Sequence, residues 1–99
     1  MGAISPANGK IRVHPDVVWR DVDGEVVLLN VVTGQYFGLD SVGSTVWKLL
    51  LEHGDEGASL QALTARVIEI FDVDGPTAEG DLIALFTQLV DQQLIFVVA

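Results

Sequence analysis

The hydrophobic period of this chain changes once, at Leu39, and the change limits it to strands followed by helices. From Val17 to Leu39 the apolar residues are β-branched or aromatic and follow no helical spacing. Beyond Leu39 they recur every three or four residues, the spacing of an amphipathic helix. Asp23-Gly24 separates VVWRDV from EVVLLN, a dipeptide suited to a two-residue hairpin whose central residues both take positive φ. Gly34 supplies a second turn. These signals predict a three-stranded antiparallel meander over about 16–21, 25–31 and 35–39. Phe37 and Leu39 are expected to point inward, and Tyr36 and Gly38 outward.

Three helices are expected next, which makes the fold class α+β. Asp40 or Ser41 can cap the first, whose Val42, Val46, Leu49 and Leu50 form a stripe beside Trp47. It should end near His53-Gly54. Ser59 caps the second, with Leu60, Leu63, Val67, Ile70 and Phe71 on one face. The third opens at Pro76 or Thr77 and runs to about Gln93. The closing LIFVVA is apolar enough for a short strand. Residues 1–12, which begin with small, polar and Gly/Pro-rich positions, are expected to be a flexible tail, and 13–99 a single domain.

Composition narrows the function. Five basic residues against fourteen acidic ones give a net charge of −9. Such a surface repels nucleic acid and attracts cationic partners, or serves solubility alone. No apolar run approaches the ~20 residues of a membrane span, and the N-terminus lacks a signal pattern, so a cytoplasmic location is expected. With no cysteine there is neither a disulfide nor a thiolate nucleophile. Asp-Val-Asp-Gly occurs at 21–24 and 72–75, but Val32 and Ile83 stand where a calcium loop needs its bidentate glutamate. His14 and His53 have no companion at ligand spacing. Ser41, Ser44 and Ser59 lie outside any nucleophile motif. No catalytic residue, metal or cofactor is expected, and the chain reads as a binding protein rather than an enzyme.

Two features suit a peptide. On the third helix, Ala78, Leu82, Ile83, Leu85, Phe86, Leu89 and Val90 span an arc of roughly 160°, wider than packing on one neighbour requires. The excess is either deep burial or one wall of an apolar groove, with Asp81, Gln88 and Gln92 along its lip. The third meander strand, Gln35 to Leu39, carries neither charge nor proline, the usual guards of a free sheet edge. Either the C-terminal LIFVVA covers that edge, or the edge accepts a strand from a partner.

The stretch TGQYFGLDSVGSTVWKLL, residues 33–50, carries a family resemblance. Its Thr-Gly, paired aromatics Tyr36-Phe37, Leu39-Asp40, Gly43 and Trp47-Lys48-Leu49-Leu50 resemble the PqqD-like recognition elements of ribosomal peptide biosynthesis. The likeness is greatest to the stand-alone type found with lasso peptides. It spans about Val17 to Ile95, and Asp40 stands where the family often has asparagine. The resemblance implies a winged helix-turn-helix-like fold that binds the leader segment of a precursor peptide. The leader is expected to add as a strand beside Gln35, Tyr36, Phe37, Gly38, Leu39 and Asp40. It is expected to lie against Ala78, Asp81, Leu82 and Leu85 of the third helix. The implied partners are a leader with a Tyr-x-x-Pro motif and basic residues, a separate cysteine-type leader peptidase and an ATP-dependent lasso cyclase. Delivery of a precursor to a radical-SAM or other modifying enzyme is the alternative within the family. A winged-helix DNA-binding regulator is the alternative outside it. The third helix argues against that regulator, because residues 77–93 hold Glu79, Asp81 and Asp91 but no Lys or Arg.

Overall fold

The computed structural model describes residues 9–98. The strands are β1 (Lys10–Val13), β2 (Val17–Val22), β3 (Glu25–Asn30), β4 (Tyr36–Gly38), β5 (Ala58–Ser59) and β6 (Ile95–Val98). The α-helices are α1 (Ser41–Glu52), α2 (Leu60–Phe71) and α3 (Gly75–Asp91). The expected meander is β2-β3-β4, antiparallel throughout, with Trp19, Leu28 and Phe37 in one cross-strand row. Asp23 and Gly24 take φ of 56° and 90°, the pair of positive values that the hairpin turn demands. Gly34, at φ 81°, closes the second turn.

Local chemistry starts each helix. The Asp40 carboxylate accepts the Gly43 N–H at 2.8 Å and caps α1, and Ser59 accepts the Ala62 N–H at 3.0 Å and caps α2. Asp74 caps α3, which therefore begins at Gly75 with Pro76 in its first turn and ends at Asp91, short of Gln93. Gln92 forms its C-cap, and Gln93 turns the chain away at φ 61°. The two Asp-Val-Asp-Gly segments are turns, one in the hairpin and one between α2 and α3. In the second, Asp72 closes α2 in the left-handed region and Asp74 opens α3.

A second sheet, β5-β1-β6, corrects two expectations. Residues 1–8 of the expected tail lie outside the described residues, but Lys10 to Arg12 belong to β1, with Ile11 fully buried. The C-terminal segment does form a strand, but it pairs with β1 (Ile11 with Val97, Val13 with Ile95) and leaves β4 alone. Four residues with two charges carry little local signal. Burial of Ile11 against partners more than forty positions away decides the strand instead.

The core lies between the meander's inner face, the helices and this second sheet. Val26 and Leu28 of β3, Trp47 of α1, Leu63 of α2, Phe86 of α3 and Leu94 are its most enclosed members. Asn30, also fully buried, ties the meander to the end of α3. Its amide donates to the Gln93 carbonyl at 2.7 Å, while its side-chain oxygen accepts the Val32 and Thr33 N–H groups. Every polar atom of that side chain is thus engaged, as burial requires.

Candidate functional site: an open strand edge above an apolar groove

Hydrogen bonding along β4 fixes which backbone groups remain free. The Asn30 N–H donates to the Gln35 carbonyl at 2.9 Å, and the Leu39 N–H donates to the Val26 carbonyl at 2.8 Å. Antiparallel bonds alternate, so residues 35, 37 and 39 turn their backbone groups toward β3. Tyr36 and Gly38 turn theirs the other way. No strand pairs with that side among the described residues. The strand ends at Gly38 because Leu39 enters the core and Asp40 becomes the cap of α1.

Beside this edge lies a groove of about 650 Å³. One wall is β4 with the residues that follow it: Phe37, Gly38, Leu39 and Asp40. The opposite wall is α3, through Ala78, Asp81, Leu82, Leu85 and Gln88. The wide arc of α3 resolves into two parts. Ala78, Leu82, Phe86 and Leu89 are buried, while Leu85 is half-buried at the groove.

Of the residues singled out in the sequence, Phe37, Gly38, Leu39, Asp40, Ala78, Asp81, Leu82 and Leu85 come together around this groove. Gln35 and Tyr36 do not line it. Gln35 precedes the strand and bonds to Asn30, and Tyr36, 66% exposed, stands on the outer face of the meander. The groove also takes in residues that sequence reasoning assigned to the core or passed over. Val42, Gly43 and Val46 come from α1, and Val67, Phe71 and Val73 from α2 and the segment after it. Val42, Val46, Val67 and Phe71 had a signal, since they belong to the apolar stripes of their helices. Nothing in a stripe says which members a neighbour leaves uncovered. Gly43 has a steric reason to be glycine. A Cβ there would come within 3.3 Å of both the Asp40 Oδ1 and the Leu39 Cδ2, crowding the cap that ends the strand.

The electrostatics are one-sided. Asp40 and Asp81 are the charged residues of the lining, and no Lys, Arg or His joins them. Asp81 is exposed and lies beyond the first turn of α3, which contains no acid. Interaction with the helix dipole therefore falls to the capping Asp74 rather than to Asp81. The Thr77 side chain, with help from the Thr77 N–H, holds the Asp74 carboxyl below its usual range. Reaching from α1 to β2, the Lys48 ammonium lowers the Asp21 carboxyl likewise. Among the described residues, no three His, Cys, Asp or Glu side chains gather in a group able to hold a metal. Nor is any described helix long and apolar enough to cross a membrane.

Such a site can hold an extended chain, with backbone bonds along Tyr36 and Gly38 and apolar side chains in the groove. Comparison with known proteins agrees in fold and supplies a family. The family model for coenzyme PQQ synthesis protein D (PqqD) matches residues 25–95. No curated protein matches the chain. The solved structure of TbiB1 in complex with the TbiA(beta) leader peptide is 37% identical, with a TM-score of 0.76. That likeness covers 85% of this chain and 93% of TbiB1. A lasso peptide synthetase B1 complexed with the leader peptide is 23% identical, with a TM-score of 0.74 over 88% of this chain and 98% of the other. At that identity the second comparison speaks to the fold.

Proposed function

The chain belongs to the PqqD family, and from that membership we propose that it captures the leader segment of a ribosomally made precursor peptide, of the lasso type. The leader adds as a strand to β4 and lies in the groove against α3. The protein performs no chemistry itself. It presents the core of the precursor to a separate cysteine-type leader peptidase and an ATP-dependent cyclase, in the cytoplasm.

The observation that carries this reading is the β4 edge, unpaired among the described residues, directly above an apolar groove. The leader peptide held by TbiB1, 37% identical, supports the choice of ligand. Four bonds to Tyr36 and Gly38 at about 0.5–1.5 kcal/mol each supply a modest affinity, so side chains in the groove must add the rest. The aromatic and proline of a Tyr-x-x-Pro motif are the expected occupants. Asp40 and Asp81 at the rim favour a leader bearing Lys or Arg, and the net charge of −9 speeds its approach.

Incubation with the cognate precursor tests the reading. The two should co-elute on gel filtration while the peptide keeps its mass. Cleavage or modification of the precursor by the purified protein alone overturns it. A second reading within the family, which is named for coenzyme PQQ synthesis, is delivery of a precursor to a radical-SAM or other modifying enzyme. The neighbouring reading frames separate the two: a protease and a cyclase beside a short precursor support the first.

A further inference from the structure

Gly38 is a glycine that the backbone does not require. Unlike Gly24 and Gly34, it does not take a positive φ, and a Cβ added to it meets nothing within 4 Å. Glycine nonetheless weakens a strand, and within one it often marks a place where a ligand or another backbone comes close. Gly38 is also one of the two β4 residues whose N–H and C=O point away from β3, toward the open edge.

The register defines what surrounds the missing side chain. Gly38 pairs with Val27, so its side-chain direction lies on the outer face of the meander, away from the groove. Tyr36 is two residues along on that face, and Leu29 and Val18 continue its row. Val27 and Leu29 are half-buried, while Tyr36 and Val18 are mostly exposed. The row of outer-face side chains is therefore interrupted at Gly38 by a notch, bare backbone with Tyr36 two residues along the strand and Val27 across the ladder. Arg20, paired with Val27, lies one strand further off.

A strand added along the full length of β4 bonds to both Tyr36 and Gly38, and the residue opposite Gly38 then projects onto this outer face. A large apolar side chain there leans over the glycine and reaches Val27 and Tyr36. Such a cross-strand partner offsets the weakness of an edge glycine. We infer that the bound leader fills this notch with one large apolar side chain, so that Gly38 selects a residue on the face opposite the groove. This inference rests on the leader-capture reading above. It adds that the leader is read on two faces: residues opposite Phe37 enter the groove, and the residue opposite Gly38 enters the notch.

A random peptide library displayed on phage, selected in parallel against the wild type and Gly38→Leu, tests the inference. The open space at the Cβ predicts that Gly38→Leu folds with thermal stability no lower than the wild type's; Gly38→Ala, adding one methyl group, provides a milder second variant. The wild type should enrich a large apolar residue at one position adjacent to, but not among, those that enter the groove. Gly38→Leu should lose that preference and accept small residues, with Gly38→Ala intermediate. In equilibrium binding of a selected peptide, replacing that residue by Ala should cost the wild type about tenfold and Gly38→Leu less than about threefold. Equal losses in both proteins, or an equal loss of every peptide on substitution of Gly38, overturn the inference while leaving leader capture intact. Failure of the wild type to enrich any peptide overturns the leader-capture reading and the inference with it.

Discussion

The Ser44 hydroxyl takes the place of a β-ladder acceptor: its oxygen, rather than the carbonyl of Leu39, receives the Val26 N–H at 2.7 Å. The register places Val26 opposite Leu39, whose own N–H donates to the Val26 carbonyl as a ladder requires. The reciprocal bond is diverted to α1, and the Ser44 hydroxyl in turn points its proton at the Leu39 carbonyl, 3.4 Å away. A single side chain, 2% exposed, therefore ends β4 and fastens α1 to β3. Ser44→Ala should leave the Val26 N–H buried without an acceptor and cost about 1–3 kcal/mol. The measurement is the urea midpoint, which should fall with no change in the denaturant slope.

The alternation of hydrogen bonds along β4 gives amide exchange a signature. In the free protein the Tyr36 and Gly38 amides should exchange quickly and the Leu39 amide, bonded to Val26, slowly. Saturating leader should slow Tyr36 and Gly38 and leave Leu39 almost unchanged. Protection of every amide in the segment to the same degree would indicate general rigidification instead of strand addition.

Leu82 and Leu85 lie three residues apart on α3 and should differ in consequence. Leu85 is half-buried at the groove, whereas Leu82 and Phe86 are 3% and 1% exposed. Leu85→Asp should fold and lose leader affinity by about tenfold or more, the worth of burying one apolar side chain. Leu82→Asp and Phe86→Asp place a carboxylate in the core and should unfold the protein. Circular dichroism and titration with leader distinguish the two outcomes.

Asp81 tests the acidic rim. It lies outside the first turn of α3, so Asp81→Asn should leave the melting temperature unchanged. If a leader cation meets it, affinity should fall by about fivefold, with only a small change in the salt dependence of the association rate, which the whole acidic surface sets. An unchanged affinity assigns Asp81 to solubility.

Asp74 should make the start of α3 sensitive to acid. Its pKa in the fold is below 3.8, the ordinary value, so the stabilisation it provides is complete above that pH. The stabilisation is lost as pH falls through the lowered pKa of the folded state. Asparagine caps a helix about as well as aspartate but cannot titrate. Asp74→Asn should therefore match the wild type near neutral pH and lose less on acidification, whereas Asp74→Ala should melt lower throughout. Melting curves from about pH 7 down to about pH 3 provide the check.

What could be read in the sequence was whatever short-range chemistry decides. Asp23-Gly24 needs only its own backbone to make a turn, and Asp40 and Ser59 cap helices through amides three residues away. The lack of charge and proline at residues 35–39 marked a candidate edge, but whether the C-terminal strand covered it was decided only by the pairing of β6 with β1. Ser44 and Asn30 were opaque for the opposite reason. Their partners lie 18 and 63 residues off, and no periodicity points to them. Strand β1 is a similar case, created by β5 and β6 rather than by its own four residues. The arc on α3 lies between these extremes, since its width was legible but its division between core and groove required α2 to be in place.

Asn30 has a mechanical consequence. It sits where the chain turns toward β4, and the carbonyl it grips belongs to Gln93, five positions past Gln88, the last groove residue on α3. The two jaws of the groove are therefore pinned together beyond one end, like the arms of a clothes-peg. Jaws joined at a pivot change their gap least beside it and most at their tips. The end of the groove beside this joint, at Gln88, therefore has its width set by one buried amide.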